Sequence, residues 1–221
     1  MSNYLRLKKM LYVVSLAAVS IVLALIEIPW FPPFSFLKLD FSEVAILVAL
    51  LVLGNKETFL VILVRAIARR LFLSVEPAEL VGEALATIAS LSIMFAYNVA
   101  KKLLKDDSKP LIYEVSVNGT KNHVKETAVY IGLVAVSLAI FLTIINFFFT
   151  TPLYLSLPPL ALSESGNVHF WAFSFINDSF YTVKTYTIFI LTAYIPFNLV
   201  KGSIITFIFM VLKPRMKYLE L

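Results

Sequence analysis

The 221-residue sequence contains no cysteine, which removes disulfides, thiol nucleophiles and iron–sulfur ligation while leaving the compartment open. Its two histidines, His123 and His169, have no second donor at metal-ligand spacing. No glycine-rich loop ends in Lys-Ser or Lys-Thr, so nucleotide hydrolysis by a phosphate loop is not expected. No serine, histidine and acid fall together as a triad. Charge is scarce too: Asp, Glu, Lys and Arg make up 15% of the chain against 60% hydrophobic residues, with mean hydropathy +0.87. A water-soluble domain of this size would lack the polar surface it needs. The longest polar stretch, 101–126, is too short for a core of its own. These absences argue against an enzyme.

What is present is a series of apolar stretches, read as an all-α membrane protein: a six-transmembrane-helix bundle forming a single integral membrane domain over 1–221. The expected spans are 10–28, 41–54, 57–73, 78–100, 127–149 and 196–212, with a cytoplasmic loop at 101–126 and an outer loop at 150–195. Pro29, Pro32 and Pro33 stop the first span. The second is short for a bilayer, and Pro77 opens the fourth at a favoured first-turn position. Asn118-Gly119 suggests a small surface hairpin after Tyr113. Trp171, Tyr181 and Tyr186 suit an interfacial helix in the outer loop. Pro196 leaves two options for the last apolar region: one kinked helix, or a short outer helix and then a span from Pro196, which better fits the polar residues after it. The net charge of +5 gathers beside span ends rather than in a nucleic-acid-binding patch. Lysines and arginines concentrate in 6–9, 101–125 and 213–217, which places both termini in the cytoplasm. No small-residue cleavage pattern follows the first stretch, so no cleavable signal peptide is expected.

Function then rests on the polar residues inside apolar surroundings. Asn198 and Lys201 share a helical face about one turn inside the last span. They meet a ligand there, or Lys201 snorkels while Asn198 caps the helix. Asn146, near the outer end of the fifth span, serves an interhelical hydrogen bond or a ligand. Asp40 caps the second span, or the loop that carries Lys38 and Asp40 covers a site. Arg65, Arg69 and Arg70 face Glu76, Glu79 and Glu83 for mutual pairing or for gripping a substrate. Ser20 and Ala24, with Ala17 and Ala18 nearby, form a small-residue face suited to close helix approach.

Three motifs carry a family resemblance: Phe36-Leu37-Lys38-Leu39-Asp40-Phe41-Ser42, Val81-Gly82-Glu83-Ala84-Leu85-Ala86 and Ile195-Pro196-Phe197-Asn198-Leu199-Val200-Lys201-Gly202. Together with the span count and the proline-rich first outer loop, they resemble the substrate-binding S components of energy-coupling factor (ECF) transporters, the riboflavin-specific type above all. The resemblance implies a multi-pass subunit of the prokaryotic plasma membrane that captures riboflavin from outside. It would work with a transmembrane coupling protein and two ATP-binding-cassette ATPases, with no cofactor of its own. By position, Asn146, Asn198 and Lys201 would bond the polar edge of the flavin, Leu39 and Asp40 would contribute from the lid, and Glu83 would be added to them. Phe147, Phe148 and Tyr154 suit stacking on the ring. The family's Ala-xxx-Ala docking face has its nearest equivalent at Ser20 and Ala24, beside Ala17. The alternative is a stand-alone ion-coupled secondary transporter of a small polar-aromatic solute, using the arginine–glutamate group as a relay. The absence of a visible inverted repeat disfavours it.

Overall fold

Hydrocarbon offers a backbone amide no water to bond, so a chain this apolar is stable where each N–H is satisfied within its own segment. The computed structural model describes residues 3–30, 37–72, 75–106, 110–112, 123–156 and 183–218, and they are overwhelmingly helical. Helix α1 runs Asn3–Ala24, α2 Ser42–Val52, α3 Asn55–Phe72, α4 Pro77–Leu104 and α5 His123–Ile145. A π-helical turn, Asn146–Thr150, carries α5 into the short α6, Thr151–Ser156, and α7 covers Val183–Leu212. Between α1 and α2, strands β1 (Ile28–Pro29) and β2 (Lys38–Leu39) pair antiparallel, with Ile28 opposite Leu39.

Length and apolarity qualify α1, α4, α5 with its extension, and α7 to cross a membrane. The other two long helices differ for physical reasons. Eleven-residue α2 is too short to cross alone, and all of its residues are buried, as expected of a helix that is apolar on every side. Helix α3 carries Lys56, Glu57, Arg65, Arg69 and Arg70, and keeps Thr58, Val61, Ile62 and Arg65 on its buried face.

Three expected boundaries need correction. The first helix ends at Ala24 rather than at 28, and Ile28 belongs to β1. Residues 150–156 are helical, so the outer loop does not begin at 150. The last helix begins at Val183 and continues through Pro196 instead of starting there. A proline inside a membrane helix is tolerated because neighbouring groups re-satisfy the backbone it disturbs. Tyr186, expected at an interface, is therefore a buried residue of α7. The hairpin expected around Asn118-Gly119, and Trp171 and Tyr181, lie outside the described residues.

Helices α5 and α7 approach closely at Gly202, where an added Cβ would lie 2.7 Å from Ala135 Cα. Helices α4 and α5 are joined by a buried hydrogen bond between the Ser92 and Ser137 hydroxyls, 2.9 Å long. Charged pairs tie helix ends together: Lys9 with Glu57, and Lys213 with Glu126. The amides of Leu111 and Ile112 donate to Leu51 and Val52 carbonyls, closing the end of α2 from outside.

Candidate ligand-binding site

Helix α1 ends at Ala24, and the chain passes through the antiparallel pair β1 and β2 before entering α2. This strap places Leu39 against α7: Leu39, Tyr186, Ile190, Tyr194 and Phe197 form one buried apolar cluster, with Trp30 and Phe147 packed against it. The Trp30 and Phe197 rings meet edge to face at 5.5 Å. At the end of the strap, Asp40 does two things at once. Its Oδ1 accepts the Ser42 backbone N–H at 3.0 Å, together with the Ser42 hydroxyl, at the start of α2. Its Oδ2 accepts a hydrogen bond from Lys201 Nζ at 2.9 Å. Asp40 therefore bonds the first turn of α2 from two residues before Ser42, and its other oxygen ties the strap to α7. Burial would raise the Asp40 carboxyl, but the Lys201 ammonium and the Ser42 hydrogen bonds outweigh it and hold it below the usual carboxylate range.

Lys201 does not snorkel. It is buried, and lies 18 residues after the start of α7, about 27 Å along the axis rather than one turn in. Its second partner is Glu43 Oε1 at 3.1 Å, and Glu43 is 1% exposed. Sequence reasoning passed over Glu43. The signal was available: an acid three residues after Asp40, in the run 41–53, whose only other polar residue is Ser42. Asn198, one turn before Lys201, is also buried, and its Nδ2 has no hydrogen-bond partner among the described residues.

Asn146 opens the π turn, a departure from α geometry that often marks functional sites. One N–H of its Nδ2 donates to the Leu142 carbonyl at 2.7 Å within its own helix, and the amide carries a second N–H. The turn is fastened to α7 by Tyr186 Oη donating to the Phe147 carbonyl at 2.8 Å and by Thr151 meeting Tyr194 at 2.9 Å. Tyr154 lies on α6, and its side chain falls outside the described part of the chain.

The remaining expectations divide. Glu83 is drawn into the arginine group, 3.8 Å from Arg65 and 3.6 Å from both Arg69 and Arg70. Arg70 also pairs with Glu79 at 3.2 Å, and Arg65 donates to Ser90 Oγ at 3.0 Å. Mutual pairing thus joins Arg65, Arg69 and Arg70 with Glu79 and Glu83. Ala17, Ser20 and Ala24 are each at most 1% exposed, in α1, which packs on α2 and α3; Ser20 Oγ donates to the Ser42 carbonyl at 3.0 Å. That corrects the docking expectation: the small-residue face is already occupied by the protein's own helices, because small side chains let them approach.

Asp40, Glu43, Asn198 and Lys201 thus combine acceptors and donors beside an aromatic cluster, an arrangement suited to a flat polar-edged ligand. Comparison with known proteins agrees with a binding role. The family model for the ECF transporter, substrate-specific component, matches residues 8–213. The riboflavin transporter RibU of Streptococcus thermophilus is 22% identical over 210 residues, which cover 95% of this chain and 83% of that protein. A solved structure of the S component of a bacterial ECF transporter matches with a TM-score of 0.63 at 22% identity, covering 98% of this chain and 99% of the other. At that identity the structural match speaks for the fold, and the family match, running through nearly the whole sequence, speaks for descent. The chain is an integral membrane protein that belongs to the family of ECF transporter substrate-specific components.

Proposed function

We propose that this protein binds riboflavin at the outer face of a prokaryotic plasma membrane and delivers it inward. It does so with a transmembrane coupling protein and two ATP-binding-cassette ATPases. In this reading it crosses the membrane six times, keeps both termini in the cytoplasm and catalyses nothing itself; riboflavin is cargo, not cofactor. The observation that carries the reading is the pairing of Asp40 on the strap with Lys201 on a distant helix, with buried Asn198 one turn earlier on α7, next to Leu39, Trp30 and Phe197.

The chemistry fits. An isoalloxazine ring is flat and largely apolar, with carbonyl and imide groups along one edge. Asn198 supplies an amide and Lys201 an ammonium donor for such carbonyls, and Asn146 adds a second amide. Phe147 and Tyr186, 5.3 Å apart at the π turn, offer aromatic surface. Charge already balances nearby, with Asp40 and Glu43 facing Lys201 and Arg65, so a neutral ligand suits the group better than an anion. The name of the Streptococcus relative points to the same vitamin.

The deciding experiment is titration of purified, flavin-free protein with riboflavin, following quenching of flavin fluorescence. Saturable one-to-one binding at micromolar concentration or below supports the proposal; no binding at micromolar vitamin overturns it.

A further inference from the structure

Lys201 has a long, flexible side chain, and a useful ligand donor must be held still. Its ammonium offers three N–H groups. Asp40 Oδ2 takes one at 2.9 Å, while Glu43 Oε1 lies 3.1 Å away in an ion pair outside hydrogen-bond geometry, so N–H capacity remains for a ligand. The two carboxylates are not equivalent. Asp40 belongs to the strap, its side chain is 21% exposed, and its other oxygen is committed to Ser42. Glu43 stands on α2, whose residues are all buried, and its own side chain is 1% exposed. Its Oε2 accepts the Ser42 hydroxyl at 3.1 Å. The charged groups facing it are Asp40 from the strap, Lys201 from α7 and Arg65 from α3.

We infer that Glu43 is a positioning residue for ligand binding: it fixes the Lys201 ammonium against the immobile helix α2 so that one N–H stays available to the ligand. The inference rests on the riboflavin reading and extends it to a residue that acts through Lys201. Glu43 stands on a buried helix and Asp40 on a partly exposed strap, so the two carboxylates hold the ammonium from separate elements.

A double-mutant cycle tests this, with riboflavin affinity as the readout. Glu43→Gln keeps the shape and removes the charge, and it should weaken binding about tenfold in the wild-type background. With Lys201→Met already present, the same change should alter affinity by less than about twofold, since nothing remains for Glu43 to position. A purely structural glutamate would cost the same factor in both backgrounds, and that result overturns the inference. So does wild-type affinity in Glu43→Gln. Glu43→Asp keeps the charge and draws the carboxylate back; should the glutamine variant not purify folded, the cycle is run with aspartate and read the same way. Failure of the wild type to bind riboflavin overturns both the vitamin assignment and this inference, whereas binding with equal factors overturns the inference alone.

Discussion

Two clusters of three or more charged residues are buried among the described residues, and they are built differently. Around Lys201 the partners sit at 2.9 and 3.1 Å, within hydrogen-bonding distance. Around Glu83 three guanidinium groups stand off at 3.6–3.8 Å, longer than hydrogen bonds. Arg65 Nε and Nη2 and both Glu83 oxygens have no hydrogen-bond partner among the described residues, and nor has Glu43 Oε1, so the Lys201 group is held by the one hydrogen bond to Asp40. The first group fixes Lys201 through its hydrogen bond to Asp40. The second neutralises Glu83 by charge alone, its arginines being hydrogen-bonded elsewhere, Arg65 to Ser90 and Arg70 to Glu79. A site that must present donors to a ligand needs the first construction, and a scaffold needs only the second.

The largest expected effect comes from breaking the second group. Glu83→Ala leaves three guanidiniums around an emptied position, and removing one partner from a buried charge set costs about 3–5 kcal/mol. Thermal unfolding in detergent should show that loss, while riboflavin affinity in the fraction that stays folded should change little. The opposite pattern, wild-type stability with lost affinity, would make Glu83 a ligand residue and dissolve the contrast between the groups.

The first group should respond in binding. Lys201→Ala and Asn198→Ala should each weaken riboflavin affinity by about 1–3 kcal/mol, the usual cost of leaving a buried partner unsatisfied. Fluorescence titration reads both. Unchanged affinity in the two variants would remove α7 from the site.

How far the sequence announced this division varies from residue to residue. Lys201, Asn198 and Asp40 stood out because hydrocarbon excludes such side chains unless something meets them, and two of the three pair directly. Glu43 carries the same signal but was read as part of an apolar span. One acid changes the average of such a run very little, and its partner lies 158 residues away in the chain. The depth of Lys201 was misjudged because proline was taken as a helix start, whereas packing against α5 carries α7 through it. The π turn at Asn146 has no composition of its own and depends on how α5 and α6 meet α7. The inward face of α1 was legible as a contact surface, but spacing does not say whether a small-residue stripe meets another protein or the chain's own α2.

Geometry next to the first group depends on Gly202. An added methyl would meet Ala135 Cα at 2.7 Å and Leu138 Cδ1 at 3.2 Å, and the nearer contact is backbone that cannot swing aside. Gly202→Ala should therefore push α7 from α5 at a cost of about 1–3 kcal/mol. Because Lys201 is the preceding residue, affinity should fall along with the unfolding temperature. A stability loss with full affinity would show that the Lys201 group tolerates helix displacement and is less rigid than its short contacts imply.

The smallest effect is expected where the two groups come closest to sharing the strap. Glu27, just before β1, pairs with Lys38 of β2 and lies 3.9 Å from Arg69, with its side chain 35% exposed. That exposure lets water screen both interactions, so Glu27→Gln should cost less than about 1 kcal/mol. The loss should vanish at roughly 1 M salt, where screening acts within about 3 Å. The riboflavin dissociation rate, measured by stopped-flow fluorescence in low and high salt, checks the point. A rate within about twofold of wild type means that Asp40 and the apolar packing of Leu39 hold the strap, since an exposed pair contributes little. A rate tenfold faster would tie the strap to the arginines through Glu27. The scaffold group would then take part in ligand retention, and the two constructions would act as one.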